Sequence, residues 1–95
     1  LKVFDFVTGK LLKTLPENFI EGAFFNEVSL DEKGNVYVSD TFAPTIWSTS
    51  YAASGVAPFV TDNNLLKNPS PDQPFGLNGL TITPDHKYLI ASVMN

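Results

Sequence analysis

Asn26-Glu27-Val28-Ser29-Leu30-Asp31-Glu32-Lys33-Gly34-Asn35-Val36-Tyr37-Val38-Ser39 decides the fold, because Asn78-Gly79-Leu80-Thr81-Ile82-Thr83-Pro84-Asp85-His86-Lys87-Tyr88-Leu89-Ile90-Ala91 repeats its pattern 52 positions later without a gap. Each copy runs asparagine, short strand, polar turn, second strand. Val28-Ser29-Leu30 and Val36-Tyr37-Val38 have the β-branched and aromatic content of strands. Between them Gly34 takes a positive φ at no steric cost, so the pair predicts a hairpin.

Working outward, Val3-Phe4-Asp5-Phe6 and Leu11-Leu12-Lys13-Thr14-Leu15 flank Thr8-Gly9-Lys10 and predict an earlier hairpin. Further strands are expected at Thr45 to Thr49, around Trp47, and at Val56 to Val60. No apolar spacing of helical period is sustained for ten positions, and Leu11 to Phe25 has room only for a short turn. Thr61 to Leu77, which carries Pro69, Pro71 and Pro74, predicts a long surface loop.

An offset of 52 residues fits one four-stranded blade of a β-propeller plus a long connection. The predicted fold is therefore all-β, built of four-stranded antiparallel blades. Residues 1–25 supply the outer strands of one blade and a connection, and 26–60 one full blade. Residues 61–77 form the long loop and 78–95 the inner strands of the next blade. That loop is expected on the face where the innermost strands begin. Trp47, Phe42, Tyr37, Phe59 and Tyr88 are expected to pack between blades. The chain lacks a starting methionine and stops directly after a strand-like run, so it reads as an excerpt of a longer polypeptide. Its free strand edges then call for the rest of the propeller, or further copies of the chain, to close the fold.

Composition narrows the function. With 43% hydrophobic and 13% aromatic residues the chain has the makings of a packed core rather than of a disordered segment. The net charge of −4, with six basic residues scattered along the chain, leaves no footprint for a phosphate backbone or an anionic bilayer. Neither nucleic acid nor membrane is expected as a partner. There is no run of about 18 apolar residues, and no basic segment leads into an apolar one at the start. The absence of cysteine removes thiolate chemistry and leaves the compartment undecided.

Phe24-Phe25-Asn26-Glu27-Val28, Gly34-Asn35-Val36-Tyr37-Val38-Ser39-Asp40-Thr41-Phe42-Ala43-Pro44 and Asn78-Gly79-Leu80-Thr81-Ile82-Thr83-Pro84-Asp85-His86-Lys87-Tyr88-Leu89 resemble successive signatures of the SMP-30/gluconolactonase/LRE-like family. The resemblance implies a six-bladed propeller with a divalent cation, usually calcium, in its central channel. It also implies a small-molecule substrate, a lactone or related ester that is hydrolysed. The blade pattern is shared with NHL and strictosidine-synthase-like propellers, so a non-catalytic binding scaffold stands as the alternative.

Calcium is a hard cation that takes six to eight oxygen ligands, amide carbonyls among them. Asn26 and Asn78 precede equivalent innermost strands, and such residues converge on a propeller axis. By resemblance, Asn78 is the metal ligand, while Asn26 binds the ion or orients substrate and water. The acidic ligands and the general base would lie in other blades. Glu27, where the family more often has aspartate, and Asp40, on the same rim, are the remaining candidates for substrate binding. Each has a plainer alternative: the asparagines as turn residues bonded to their own backbone, Glu27 as a surface carboxylate, Asp40 as a turn carboxylate. No Gly-x-Ser-x-Gly elbow and no triad is present, and the lone His86 falls in a turn at the far end of its strand from Asn78. Asn68-Pro69-Ser70 is excluded as a glycosylation acceptor by its proline.

Overall fold

A computed structural model describes residues 1–18, 20–65 and 75–94. The strands are β1 (Lys2–Phe4), β2 (Leu11–Thr14), β3 (Phe25–Leu30), β4 (Asn35–Asp40), β5 (Thr45–Ser50), β6 (Ala57–Thr61), β7 (Leu77–Ile82) and β8 (Leu89–Val93). They form three antiparallel sheets in the orders β1-β2, β3-β4-β5-β6 and β7-β8. The described residues include no α-helix, only a short 3-10 turn at Asn63–Leu65. Among the described residues no helix is long and apolar enough to cross a membrane. Pro69, Pro71, Pro74 and Asn68-Pro69-Ser70, and with them the tip of the expected loop, lie outside the described residues.

Short-range hydrogen bonds set where strands end. Phe6 was expected in the first strand, yet β1 stops at Phe4 because the Asp5 carboxylate accepts from the Val7 and Thr8 backbone N–H groups at 3.0 and 2.7 Å. This Asx turn competes with the ladder for the backbone and wins. Asp31 acts likewise between β3 and β4, accepting from Lys33 N and Asn35 N at 2.9 Å each. Gly34 closes that turn at φ 82°, its N–H donating to Asp31 O.

The turn between β7 and β8 is built on the same plan but is one residue longer. Leu30 pairs with Val36 across Asp31 to Asn35, whereas Ile82 pairs with Leu89 across Thr83 to Tyr88. His86 occupies the place of Gly34 at φ 57°, and its N–H donates to Thr83 O as that of Gly34 does to Asp31 O. The gap-free alignment of the repeats therefore holds through the first strand and slips by one in the second. Ser39 corresponds to Ser92 rather than Ala91, and Thr41 to Met94. One backbone bond marks the match: Thr41 N donates to Phe24 O, and Met94 N to Gly76 O, both at 2.9 Å.

Each repeat also carries a β-bulge at the same place. Pairing steps from Phe25 with Asp40 to Val28 with Val38, and from Leu77 with Val93 to Leu80 with Ala91. Asn26-Glu27 and Asn78-Gly79 therefore stand in the bulges, which put an extra residue in one strand and re-aim side chains.

The core lies between the four-stranded sheet and the β7-β8 hairpin, where Ile46, Leu77 and Leu80 are buried against Tyr37, Leu65, Leu89, Ala91 and Val93. On β4 the alternation of side chains turns Tyr37 and Ser39 to this interface and Val36 and Val38 to the other face. The β1-β2 hairpin lies beyond that other face, across an apolar groove lined by Val3, Leu15, Val28, Leu30 and Val36. Lys13 Nζ donates to Tyr51 O at 2.8 Å, and Glu17 N to Ser54 O at 3.1 Å, anchoring the hairpin to the β5-β6 turn. Of the aromatic residues expected between sheets, Tyr37 packs against the buried cluster there, while its edge-on contact with Phe59 at 4.9 Å and that of Trp47 with Phe25 at 6.4 Å lie within the four-stranded sheet. Tyr88 is exposed.

Candidate functional site

Asn26 and Asn78, 52 residues apart, are in direct contact. Asn26 Nδ2 donates to Asn78 Oδ1 at 3.1 Å and to Thr41 Oγ1 at 3.2 Å. Asn78 Nδ2 in turn donates to Met94 Sδ at 3.5 Å. Thr41 and Met94 are the residues that the corrected register makes equivalent, so each amide is held by the residue just past the strand paired with its own.

The bulges explain how both side chains reach this point. An extra residue in a strand leaves an N–H without a ladder partner, and a buried backbone donor must find one elsewhere. Glu27 N donates to Ser39 Oγ at 3.0 Å, and Gly79 N to Ser92 Oγ at 2.8 Å. In the second copy the serine comes so close that a Cβ on Gly79 would stand 2.9 Å from Ser92 Oγ, so a side chain there would have to push that hydroxyl aside. Ser39 Oγ also donates to Asn78 O at 2.6 Å, and Thr41 Oγ1 to Leu77 O at 2.8 Å. Two hydroxyls of the four-stranded sheet thus fix the backbone that carries Asn78.

Glu27 is exposed beside the amide pair. Asp40 is 1% exposed, and its carboxylate is occupied by the protein itself. Its Oδ1 accepts from Phe24 N and Phe42 N at 3.1 Å each, and its Oδ2 from Trp47 Nε1 at 3.2 Å. The structure therefore brings together Asn26, Asn78 and the backbone of Glu27, and places Asp40 beneath them as a brace. Ser39, Thr41, Ser92 and Met94 were not singled out from the sequence. A one-residue gap in the second turn would have aligned Ser39 with Ser92 and drawn attention to them.

Two amide oxygens and one exposed carboxylate are donors of the kind a hard cation takes, but they fill at most about half of a shell of six to eight. Among the described residues no group of three or more histidine or acidic side chains is placed to hold a metal. The described end of the long connection adjoins the pair, since Gly76 N donates to Thr41 O at 3.0 Å and Phe75 stacks on Phe42.

A separate cleft of about 370 Å³ lies at the turn end of the two hairpins, lined by Asp31, Asn35, Tyr37, Phe59, His86 and Tyr88 among others. There the Asn35 side-chain amide holds the Asp31 carboxyl below its usual range, with backbone N–H groups and Tyr37 adding to the effect. Burial pushes the Tyr37 hydroxyl up, reinforced by its hydrogen bond to Asp31. His86, exposed, stands 3.8 Å from Glu32. None of the residues expected to bind metal or substrate lines this cleft.

Compared with known proteins, the chain matches no family model, no curated protein and no solved structure.

Proposed function

We propose that this chain is a two-blade section of a β-propeller of the SMP-30/gluconolactonase type, and that Asn26 and Asn78 supply the neutral oxygens of a calcium site serving hydrolysis of a lactone or ester. The observation that carries it is the 3.1 Å contact between two amides that stand in equivalent bulges of adjacent sheets. Bulges concentrate beside active sites because they re-aim side chains. Here they bring the two amides together, and turning the Asn26 amide over would set its oxygen beside that of Asn78, as a shared cation requires. In such a site Asn78 binds the ion, Asn26 binds the ion or orients substrate and water, and Glu27 faces the substrate. A bound ion would supply Lewis-acid polarisation of the substrate carbonyl, and carboxylates from other blades would complete its shell and activate water.

A non-catalytic scaffold is the second reading, favoured by one feature. The two amides satisfy each other, and in that role they clasp two sheets.

Calcium affinity and lactone hydrolysis, measured on the protein with its ring complete, separate the two. Asn78→Ala is expected to weaken calcium binding by more than about tenfold and hydrolysis with it, as loss of groups at a metal centre does. Asn26→Ala is expected to lower turnover with less effect on the metal. Unchanged calcium binding and hydrolysis in Asn78→Ala would remove the hydrolase reading and leave the clasp.

A further inference from the structure

Three phenyl rings form a row on the rim that carries the amide pair. Phe24 and Phe42 lie with centroids 4.9 Å apart, and Phe42 and Phe75 stack at 5.8 Å with 26° between their planes. All three remain open to solvent, at 47%, 46% and 42%. An apolar patch left exposed beside polar groups marks a place where something binds.

The row is built to stay in place. The buried Asp40 carboxylate takes the backbone N–H groups of both Phe24 and Phe42 on one oxygen. The segment carrying Phe75 is pinned where Gly76 N meets Thr41 O. Sheet architecture does not ask for these rings. The residue equivalent to Phe24 in the second repeat is Gly76, which accepts the same backbone bond from Met94 that Phe24 accepts from Thr41. The row is also continuous with the amides, as Phe24 lies two residues before Asn26, and Phe42 follows Thr41, the hydroxyl that accepts from Asn26.

We infer that Phe24, Phe42 and Phe75 form a subsite for the apolar substituent of the substrate, so that the preferred lactone or ester carries an alkyl chain or an aromatic ring rather than the hydroxyls of a sugar. This rests on the hydrolase reading for the reacting group, but not for the apolar contact itself. A flexible chain laid along a fixed row of rings buries one methylene after another, and each is worth about fourfold in affinity.

The test uses γ-lactones with side chains of increasing length and n-alkanols of matching length as probes. Binding is followed by amide NMR shifts at Phe24, Phe42 and Phe75 and by Trp47 fluorescence, and hydrolysis is measured in parallel. Affinity is expected to rise about fourfold per methylene until the row is covered. Phe42→Ala is expected to flatten the slope to less than half, with Phe24→Ala and Phe75→Ala as further variants should Phe42→Ala fail to fold. A flat dependence on chain length in the wild type, or an unchanged slope in folded variants, overturns the subsite whatever hydrolysis shows. Alkanols that bind with the expected slope while no lactone is hydrolysed leave the subsite standing and remove the hydrolase reading.

Discussion

Ser39 Oγ stands 2.6 Å from the carbonyl oxygen of Asn78, and so one hydroxyl of the four-stranded sheet holds the backbone of the neighbouring sheet while also receiving the bulge N–H of Glu27 at 3.0 Å. Ser39→Ala removes both bonds and leaves buried polar groups unsatisfied. It is expected to cost about 1–3 kcal/mol in stability, read as a lower denaturation midpoint. Ser92→Ala, which loses one bond within its own hairpin in a more exposed setting, is expected to cost less.

Asp40 should behave as a structural brace in the same assay. Its carboxylate accepts three hydrogen bonds at 1% exposure, and Asn brings an NH2 that opposes either the two backbone donors or the Trp47 indole. Asp40→Asn is therefore expected to destabilise by about 1.5–3 kcal/mol, the range for bonds to a charged group, and to shift Trp47 emission. A wild-type melt and unchanged emission in Asp40→Asn would contradict the brace.

Leu77 is fully buried in the cluster with Ile46 and Leu80, which joins the two sheets. Truncation there leaves a cavity as well as losing contact, so Leu77→Ala is expected to cost about 2–5 kcal/mol. Leu12→Ala, at an exposed position of β2, is the control and should stay within about 0.5 kcal/mol.

Acid should weaken the turns. Thr8 holds the Asp5 carboxyl below the ordinary value of 3.8, the Asn35 amide does so for Asp31, and the Thr83 hydroxyl for Asp85. A carboxyl with a depressed folded pKa adds stability that is complete above its unfolded value and disappears as pH falls through the folded one. Melting temperature is therefore expected to be level on these groups' account down to about pH 5 and to drop below about pH 4. Asp31→Ala should lower the plateau and shrink that drop.

The strands were legible from the sequence because their evidence is local. Val28-Ser29-Leu30 and Val36-Tyr37-Val38 alternate across a turn that needs Gly34, and the observed strands extend that core to Phe25–Leu30 and Asn35–Asp40. The pairing of the two asparagines was legible for the same reason, as a matched position in a repeat. What escaped was set by pairing. Nothing in Thr83-Pro84-Asp85-His86-Lys87 announces that His86 will take a left-handed φ in a longer turn, and this alone moves Ser92 opposite Gly79. Asp40 looked like a rim carboxylate because a sequence does not display the three N–H groups that converge on it.

The bulges at Asn26-Glu27 and Asn78-Gly79 have a consequence for how such a chain tolerates change. A strand alternates strictly, so inserting or deleting one residue swaps every side chain beyond it to the opposite face. A bulge is already one residue out of phase, and it separates the amide-bearing start of β3 and β7 from the stretches that begin at Val28 and Leu80. In β3, length variation ahead of Asn26 can be absorbed there while Val28 and Leu30 keep their face, whereas in β7 the buried Leu77 stands ahead of the bulge and ties that end to the interior as well. The two ends of β3, though not those of β7, are in this sense free to evolve on separate clocks.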